Sequence, residues 1–222
     1  MSLLSIDTAT EILSVGIETT EGFFETSISA GFRHSEYLLP AVDALTKLTR
    51  TEEQLELVVC MRGPGSFTGL RIGMATAKGL AAGARCDIVA VPTLDTLAWG
   101  AEYFPGHVVP VIDARKQRVY AAVYQSGKKQ TEDLDVAPAE LEGLLPQDSP
   151  VLFTGPGAAL LSEAAARHSH WKTDPRATAS RAYALLLLGK RRLSEVGPDP
   201  KDLGPVYLRK SEAQLGMSTK KG

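Results

Sequence analysis

Leu3-Leu4-Ser5-Ile6-Asp7 and Val109-Pro110-Val111-Ile112-Asp113 decide the fold, because the second stretch repeats the first at an offset of 106 residues. Each is an apolar run that ends in Ile-Asp and continues into a polar turn. Gly63-Pro64-Gly65 and Gly155-Pro156-Gly157 form a second pair, and each of them directly follows an apolar run. Since both pairs recur in the same order, the sequence predicts a duplicated βββαβα unit.

Hydrophobic periodicity predicts the elements of the first unit. Apolar residues at helical steps predict amphipathic helices at 34–48 and 67–82. Alternating or continuous apolar runs predict five strands, at 3–6, 12–18, 23–28, 57–61 and 88–91. A third helix is expected after the last strand, from Pro92 to about Tyr103. This order predicts an α/β fold with right-handed crossovers.

Pro105-Gly106 is the predicted boundary between two lobes. The N-terminal lobe would span residues 1–104, and the C-terminal lobe would span 105–222 with a long helix at 178–194. Residues after Gly204 are expected to be loosely docked, as chain ends commonly are.

The composition restricts the class of protein. The 222 residues carry 24 Lys and Arg against 26 Asp and Glu, and 44% of them are hydrophobic. This balance argues against disorder, a coiled coil or a protein that coats nucleic acid. Two cysteines cannot form a disulfide framework, no secretory signal is visible, and the longest apolar run, 184–188, is too short to span a membrane. We therefore expect a cytoplasmic protein without a membrane partner.

The charge is unevenly distributed along the chain. Residues 1–166 hold a net charge of −9, whereas residues 167–222 hold +7. The favoured interpretation of this basic end is a solvated helix and tail. Its alternative is contact with an acidic partner such as a nucleic acid, through Arg191, Arg192, Arg209 and Lys210.

The two Asp turns are candidates for binding a nucleotide. An Asp at a strand end can hold Mg²⁺ through water, and turn N–H groups and Thr hydroxyls can cradle phosphate. The candidate residues are Asp7, Thr8, Thr10, Asp113, Gly155 and Gly157. In the alternative interpretation, Asp7 and Asp113 only cap their own turns.

Residues 62–71 are the most distinctive stretch, with two glycines around a proline and then the start of a helix. The spacing is not that of a P-loop, because no Gly-Lys-Ser/Thr follows. Within the helix, small residues at steps of four form a smooth face: Gly69, Gly73, Ala77 and Ala81. Glycine costs about 1 kcal/mol in a helix interior, so close approach of another helix is expected. That helix is 34–48 of this chain, part of a second protein, or both.

No catalytic constellation is predicted. The four histidines and two cysteines lack the spacing of a zinc site, and no Gly-x-Ser-x-Gly elbow is present. The sequence therefore names neither catalytic residues nor metal ligands.

Several motifs together resemble the TsaB (YeaZ) proteins of bacteria. They cover nearly the whole chain in order, and Gly-Pro-Gly-Ser-Phe-Thr-Gly is the most specific; the motifs are Ile6–Thr10, His34–Pro40, Arg62–Gly73, Val111–Arg115 and Pro205–Arg209. The resemblance implies the two-lobed fold of the actin-like ATPase, sugar kinase and Hsp70 (ASKHA) class. It also implies a role in making threonylcarbamoyladenosine at adenosine 37 of tRNAs that read codons starting with A.

The resemblance implies a partner subunit instead of a catalyst. Such a protein binds and positions the related TsaD subunit, an ATPase named TsaE joins them, and tRNA is bound by the complex. Pairing would use a four-helix bundle to which this chain contributes 34–48 and 67–82. The interface candidates are His34, Leu38, Val42, Leu45, Phe67, Gly69, Leu70, Gly73, Met74 and Ala77. Alone, the chain would form a homodimer through the same faces.

One departure from the catalytic relative supports this view. In TsaD, an Asn-His-Leu-x-x-His stretch holds a metal, whereas this chain has Pro92-Thr93-Leu94-Asp95-Thr96-Leu97. Leucine cannot bind a metal and threonine binds one poorly, so no metal and no catalysis are expected. No cofactor is required, and any ATP or ADP with Mg²⁺ would bind weakly. The alternatives are an independent phosphotransferase or ATPase of the same fold and, ranked last, a peptidase.

Overall fold

The structure is a computed structural model, and it describes residues 2–49 and 54–209. The first half of the chain forms a five-stranded sheet with strand order β3-β2-β1-β4-β5. Its elements are β1 (Ser2–Asp7), β2 (Ile12–Thr19), β3 (Gly22–Ser29), α1 (His34–Thr49), β4 (Leu55–Gly63), α2 (Phe67–Ala84), β5 (Asp87–Pro92) and α3 (Thr93–Ala98). Strands β1, β4 and β5 are parallel, and β2 is antiparallel to both of its neighbours.

The second half forms another sheet, with a main path of β10-β7-β6-β11-β12. Its elements are β6 (His107–Asp113), β7 (Val119–Ala121), β8 (Tyr124–Gln125), β9 (Lys128–Lys129), β10 (Leu134–Val136), α4 (Pro138–Leu144), β11 (Val151–Thr154), α5 (Ser162–Arg167), β12 (Trp171–Thr173) and α6 (Ala182–Val196). A short 3₁₀ turn, Ala158–Leu161, precedes α5.

The two sheets repeat one topology. Strand β6 takes the place of β1, with an antiparallel strand on one side and two parallel strands on the other. The hairpin β8–β9 is an insertion between the second and third strands of the repeat. The predicted two-lobed, duplicated α/β fold of the ASKHA class is therefore confirmed.

The last helix of each half packs on the sheet of the other half. Leu94 and Leu97 of α3 are buried in a cluster with Val108 and Ile112 of β6. Leu185 and Leu186 of α6 are buried in a cluster with strands of the first sheet, against residues such as Leu57 and Val59. The predicted ranges 1–104 and 105–222 therefore divide the sheets, but each packed lobe contains the terminal helix of the other range.

Two predicted helix limits are wrong. The third helix ends at Ala98 instead of near Tyr103, because Trp99 turns to extended backbone (φ −59°, ψ 140°) and Gly100 is left-handed (φ 83°). Helix α6 begins at Ala182 instead of 178. The segment before it contains Asp174, whose carboxylate accepts a hydrogen bond from the N–H of Arg176 at 2.9 Å, as in an Asp turn.

The expectation of a loosely docked end is wrong for residues 205–209. The N–H of Val206 donates to the carbonyl of Arg62 at 2.8 Å, and the Tyr207 ring packs 4.8 Å from that of Phe67. Arg209 then reaches the second sheet, where its guanidinium bonds Asp135 at 2.7 Å. Lys210 lies outside the described residues. No helix in the described part of the chain has the length and apolar character needed to cross a membrane.

Candidate functional site: the inter-lobe turns and the outward face of two helices

The Asp7 turn is buried, and its polar groups bond to this chain. Asp7 is 4% exposed, and its Oδ1 accepts a hydrogen bond from the N–H of Ala9 at 3.0 Å. The hydroxyl of Thr8 donates to the carbonyl of Gly69 at 2.8 Å, and that of Thr10 accepts from the N–H of Ile12 at 3.3 Å. The three predicted residues thus shape the turn and join it to α2.

Arg181 supplies the positive charge that acts on Asp7. Burial raises the pKa of Asp7 to about 6, and the bond from Ala9 and the charge of Arg181 oppose that rise. Arg181 lies 3.3 Å from the Thr154 hydroxyl and 4.0 Å from Asp174, and burial lowers the pKa of its guanidinium. Arg181 was not among the predicted residues, because its partners are distant along the chain.

The second Asp turn is more open than the first. Asp113 accepts a hydrogen bond from the N–H of Arg115 at 2.7 Å and pairs with the guanidinium of that residue at 3.1 Å. Arg115, Lys116 and Gln117 all have left-handed backbone, with φ of 61°, 54° and 59°, which costs about 1–2 kcal/mol at each residue. Asp113 therefore also shapes its own turn.

In the two Gly-Pro-Gly loops, neighbouring backbone atoms lie where a side chain would otherwise be. A Cβ on Gly157 would lie 2.8 Å from the N atom of Asp113, and one on Gly155 would lie 2.8 Å from the carbonyl of Val111. A Cβ on Gly65 would overlap the carbonyl of Ala9 in the same way. Each loop thus packs tightly against the end of the first strand in its own half. Gly157 lies beside the backbone of Asp113, and Gly155 lies beside that of Val111, so in both the position of a side chain is occupied by the chain.

Most of the predicted interface residues point into the chain itself. Eight of the ten are buried: His34, Leu38, Leu45, Gly69, Leu70, Gly73, Met74 and Ala77. Val42 and Phe67 are half-buried. The eight residues therefore offer no side chain to a partner, and this part of the prediction is corrected.

The two halves of the smooth face have different neighbours: Ala77 and Ala81 share a buried cluster with Leu38 and Leu45 of α1, as one of the predictions expected, whereas Gly69 and Gly73 pack against a turn. A Cβ on Gly69 would overlap the carbonyl of Thr8, and a Cβ on Gly73 would overlap its hydroxyl. The element that approaches α2 so closely is the Asp7 turn. These two glycines therefore fix the position of α2 on the first sheet.

A second set of small residues lies on the outward face of α2. Ala75, Gly79, Ala82 and Gly83 are exposed, and a Cβ on Gly79 or Gly83 would meet no neighbouring atom. Helix α1 exposes two large apolar side chains on opposite sides of the helix, Leu39 at 56% and Leu48 at 65%. We call the exposed and half-buried surface of α1 and α2 the docking face. The small residues at 75, 79, 82 and 83 can be found in the sequence, but the pattern at 69, 73, 77 and 81 indicates the other face as the open one.

An aromatic and arginine cluster lies on the docking face at the start of α2. The guanidinium of Arg71 lies 3.9 Å from the centre of the Phe67 ring. Its Nε donates to the Tyr207 hydroxyl at 3.0 Å. This cluster joins the last described residues of the chain to the outward side of α2.

The basic residues near the end of the chain are paired with carboxylates. Lys190 bonds Glu18 at 2.6 Å, Arg191 bonds Glu195 at 2.8 Å, and Arg192 bonds Asp199 at 3.0 Å. Arg209 pairs with Asp135. Much of the positive charge in this region is therefore compensated within the chain, in agreement with the favoured interpretation of a solvated helix and tail.

Comparison with known proteins gives the family. The tRNA threonylcarbamoyladenosine biosynthesis protein TsaB of Bacillus subtilis (strain 168) is 33% identical, over 96% of this chain and 96% of its own length. The chain belongs to the TsaB family. The TsaB protein of Escherichia coli (strain K12) is 41% identical over 56% of this chain and 55% of its own length.

Two further matches agree with this TsaB family assignment. The family model described as "TsaD: tRNA N6-adenosine threonylcarbamoyltransferase" matches residues 28–217, so this TsaB-family chain is also related to that transferase. The solved structure of YeaZ from Pseudomonas aeruginosa superposes with a TM-score of 0.76 at 27% identity, covering 93% of this chain and 99% of YeaZ.

Proposed function

We propose that this TsaB-family chain is the non-catalytic partner subunit that binds and positions TsaD during threonylcarbamoyladenosine formation at adenosine 37 of tRNA. The docking face carries this proposal. It combines exposed leucines on α1 with an open small-residue surface on α2. A helix surface without bulky side chains lets another helix approach closely, and the exposed leucines would gain burial from such a partner.

The start of α3 supports a non-catalytic role. Thr93 and Leu97 stand where the transferase motif has its histidines. Thr93 is 0% exposed and Leu97 is 3% exposed, and Leu97 packs in the cluster between α3 and β6. These positions are part of the core, so a metal ion or a substrate would have no access to them.

The remaining partners follow from the same role. TsaE would join the assembled pair, and tRNA would be held by the complex and not by this chain alone. Without TsaD, two copies of the chain would cover their docking faces against each other. No cofactor is required for this function.

An independent phosphotransferase is less favoured. Asp7 is the side chain that would organise Mg²⁺ near a phosphate, yet it is buried and already experiences the charge of Arg181. Isothermal calorimetry with ATP and Mg²⁺ decides this point. We expect no heat of binding by the isolated chain, and tight binding with turnover would favour the phosphotransferase.

Reconstitution tests the proposed function. TsaD, TsaE, tRNA and the threonylcarbamoyl adenylate are incubated with and without this chain, and the modified nucleoside is measured by mass spectrometry. We expect modification only when the chain is present. Full modification by TsaD and TsaE alone would contradict the proposal.

A further inference from the structure

Arg71 is an exposed cation whose position is already fixed. Its guanidinium stacks on the Phe67 ring at 3.9 Å, and its Nε donates to the Tyr207 hydroxyl at 3.0 Å. Within residues 2–49 and 54–209, its two terminal amino groups have no hydrogen-bond or ion-pair partner. An arginine held in this way loses less side-chain entropy when it binds an anion.

Tyr207 is itself anchored on both sides of its position in the chain. Val206 bonds the end of β4 through the carbonyl of Arg62 at 2.8 Å. Arg209 bonds Asp135 of β10 through two nitrogens, at 2.9 and 2.7 Å. The hydroxyl that orients Arg71 is therefore held by both halves of the molecule.

Lys78 extends the positive charge along the same side of α2. It follows Arg71 by seven residues, which in an α-helix is about two turns and about 10 Å along the axis. Ala75 lies between them on that side and is exposed. Lys78 also has no ion pair in the part of the chain that the structure describes.

Helices α1 and α2 differ in whether their charged side chains are paired. In α1, Asp43 pairs with Lys47 at 2.7 Å, and Glu36 lies 3.8 Å from Arg33. Helix α2 contains no acidic residue, and its two cations are left unpaired among the described residues. The docking face thus carries positive charge that only another molecule can compensate.

We infer that Arg71 and Lys78 receive two carboxylates from an acidic helix of the protein partner on the docking face. This inference rests on the proposed function. The planar guanidinium of Arg71 favours a bidentate carboxylate, and Lys78 accepts the second acidic side chain about two turns away.

A protein partner is favoured over the phosphates of an RNA. The surface of α2 next to the cations is made of small residues, with Ala75 and Gly79 exposed. An interface with an apolar centre and charged pairs at its edge is typical of protein–protein contacts.

Titration calorimetry of the full chain with TsaD tests this inference. We expect Arg71→Gln to weaken the affinity about tenfold and Lys78→Gln about threefold, since arginine is a frequent hot-spot residue. Both losses should shrink at high salt, where exposed charges are screened. Arg71→Lys should recover only part of the affinity, because an ammonium cannot form the bidentate pair.

Lys172→Gln is the matched control. Lys172 is exposed on β12, away from the docking face, so the same loss of charge there should leave the affinity unchanged. Melting temperatures of all variants are measured alongside. Lys78→Gln provides a test that is independent of Arg71, which also holds Tyr207.

The outcomes separate the two proposals. If the unmodified chain does not bind TsaD, the proposed function fails. If it binds TsaD and the Arg71→Gln, Lys78→Gln double variant binds equally well, only the present inference fails. If the double variant loses tRNA binding by the complex while its affinity for TsaD is unchanged, the cations serve phosphates and the inference is again overturned.

Discussion

The two faces of α2 have similar compositions and opposite surroundings. The inner face carries Gly69 and Gly73 because the Asp7 turn packs against the helix backbone there. The outer face carries Ala75 and Gly79, and a Cβ on Gly79 would meet no neighbour. Small residues thus preserve the fold on one face and leave room for another molecule on the other. The role of a glycine in a helix can therefore be assigned only when the atoms around it are known.

The inner face gives the largest expected effect. Gly73→Leu forces a side chain into Thr8 and should destabilise the chain by about 4 kcal/mol or more, because the turn is buried and cannot withdraw. Urea unfolding followed by circular dichroism measures this loss. Gly83→Leu is the control on the open side, and it should leave stability equal or raised by up to about 1 kcal/mol. Equal stability of both variants would contradict the contrast between the faces.

The buried turn under the inner face should make stability depend on pH. The pKa of Asp7 is raised from 3.8 to about 6 in the folded chain, so the folded state holds its proton more tightly than the unfolded state. Ionisation of Asp7 therefore destabilises the folded chain. This destabilisation is absent below about pH 4, grows between about pH 4 and about pH 6, and reaches about 3 kcal/mol above that range.

Asp7→Asn isolates this contribution. The difference in unfolding free energy between the variant and the unmodified chain is measured from pH 4 to pH 7, so that the other titrating groups cancel. We expect the variant to gain stability relative to the unmodified chain up to about pH 6 and no further change above it. A difference that is constant with pH would contradict the burial of this carboxyl.

The outer face should affect binding and not folding. Gly79→Leu places a side chain on the docking face and should weaken TsaD binding on the order of 100-fold, since a docked helix could no longer approach. Gly143→Leu is the matched control, because Gly143 is an exposed helical glycine of α4 whose Cβ would also meet no neighbour. Tight binding by the Gly79→Leu variant would place the partner elsewhere.

The link between the chain end and the second sheet should have the smallest effect. Arg209→Ala removes the bonds to Asp135 and to the carbonyl of Ala114. Asp135 keeps the guanidinium of Arg118 at 2.8 Å, so we expect a loss of only about 1 kcal/mol in the free energy of unfolding. Thermal unfolding measures it, and a loss above about 3 kcal/mol would show that this link matters more than its contacts suggest.

The repeated motifs predicted the fold because each has a local physical cause. Ile-Asp marks the end of a central strand, and Gly-Pro-Gly marks the loop that packs against it, so both could be found by spacing alone. The packing of α3 and α6 on the sheet of the opposite half could not be predicted in this way. Apolar residues such as Leu185 and Leu186 can be buried by either sheet. The end of α3 depends on Trp99 and Gly100, which a helical pattern does not reveal.

The candidate site was harder to predict than the fold. Steps of four occur at 69, 73 and 77 and again at 75, 79 and 83, so the period shows that α2 has two smooth faces but not which one is covered. Arg181 was missed because Asp7 and Asp174 meet it only in the folded chain. The side of α2 that the sequence pattern favoured is buried in this chain, and the interface on α2 stays a prediction.

Hydrogen exchange of this chain with and without TsaD tests the central claim most directly. We expect TsaD to slow exchange in peptides from α1 and α2, while α4 in the second half exchanges at an unchanged rate. Slower exchange confined to the second half, or no change in α1 and α2 at saturating TsaD, would contradict it.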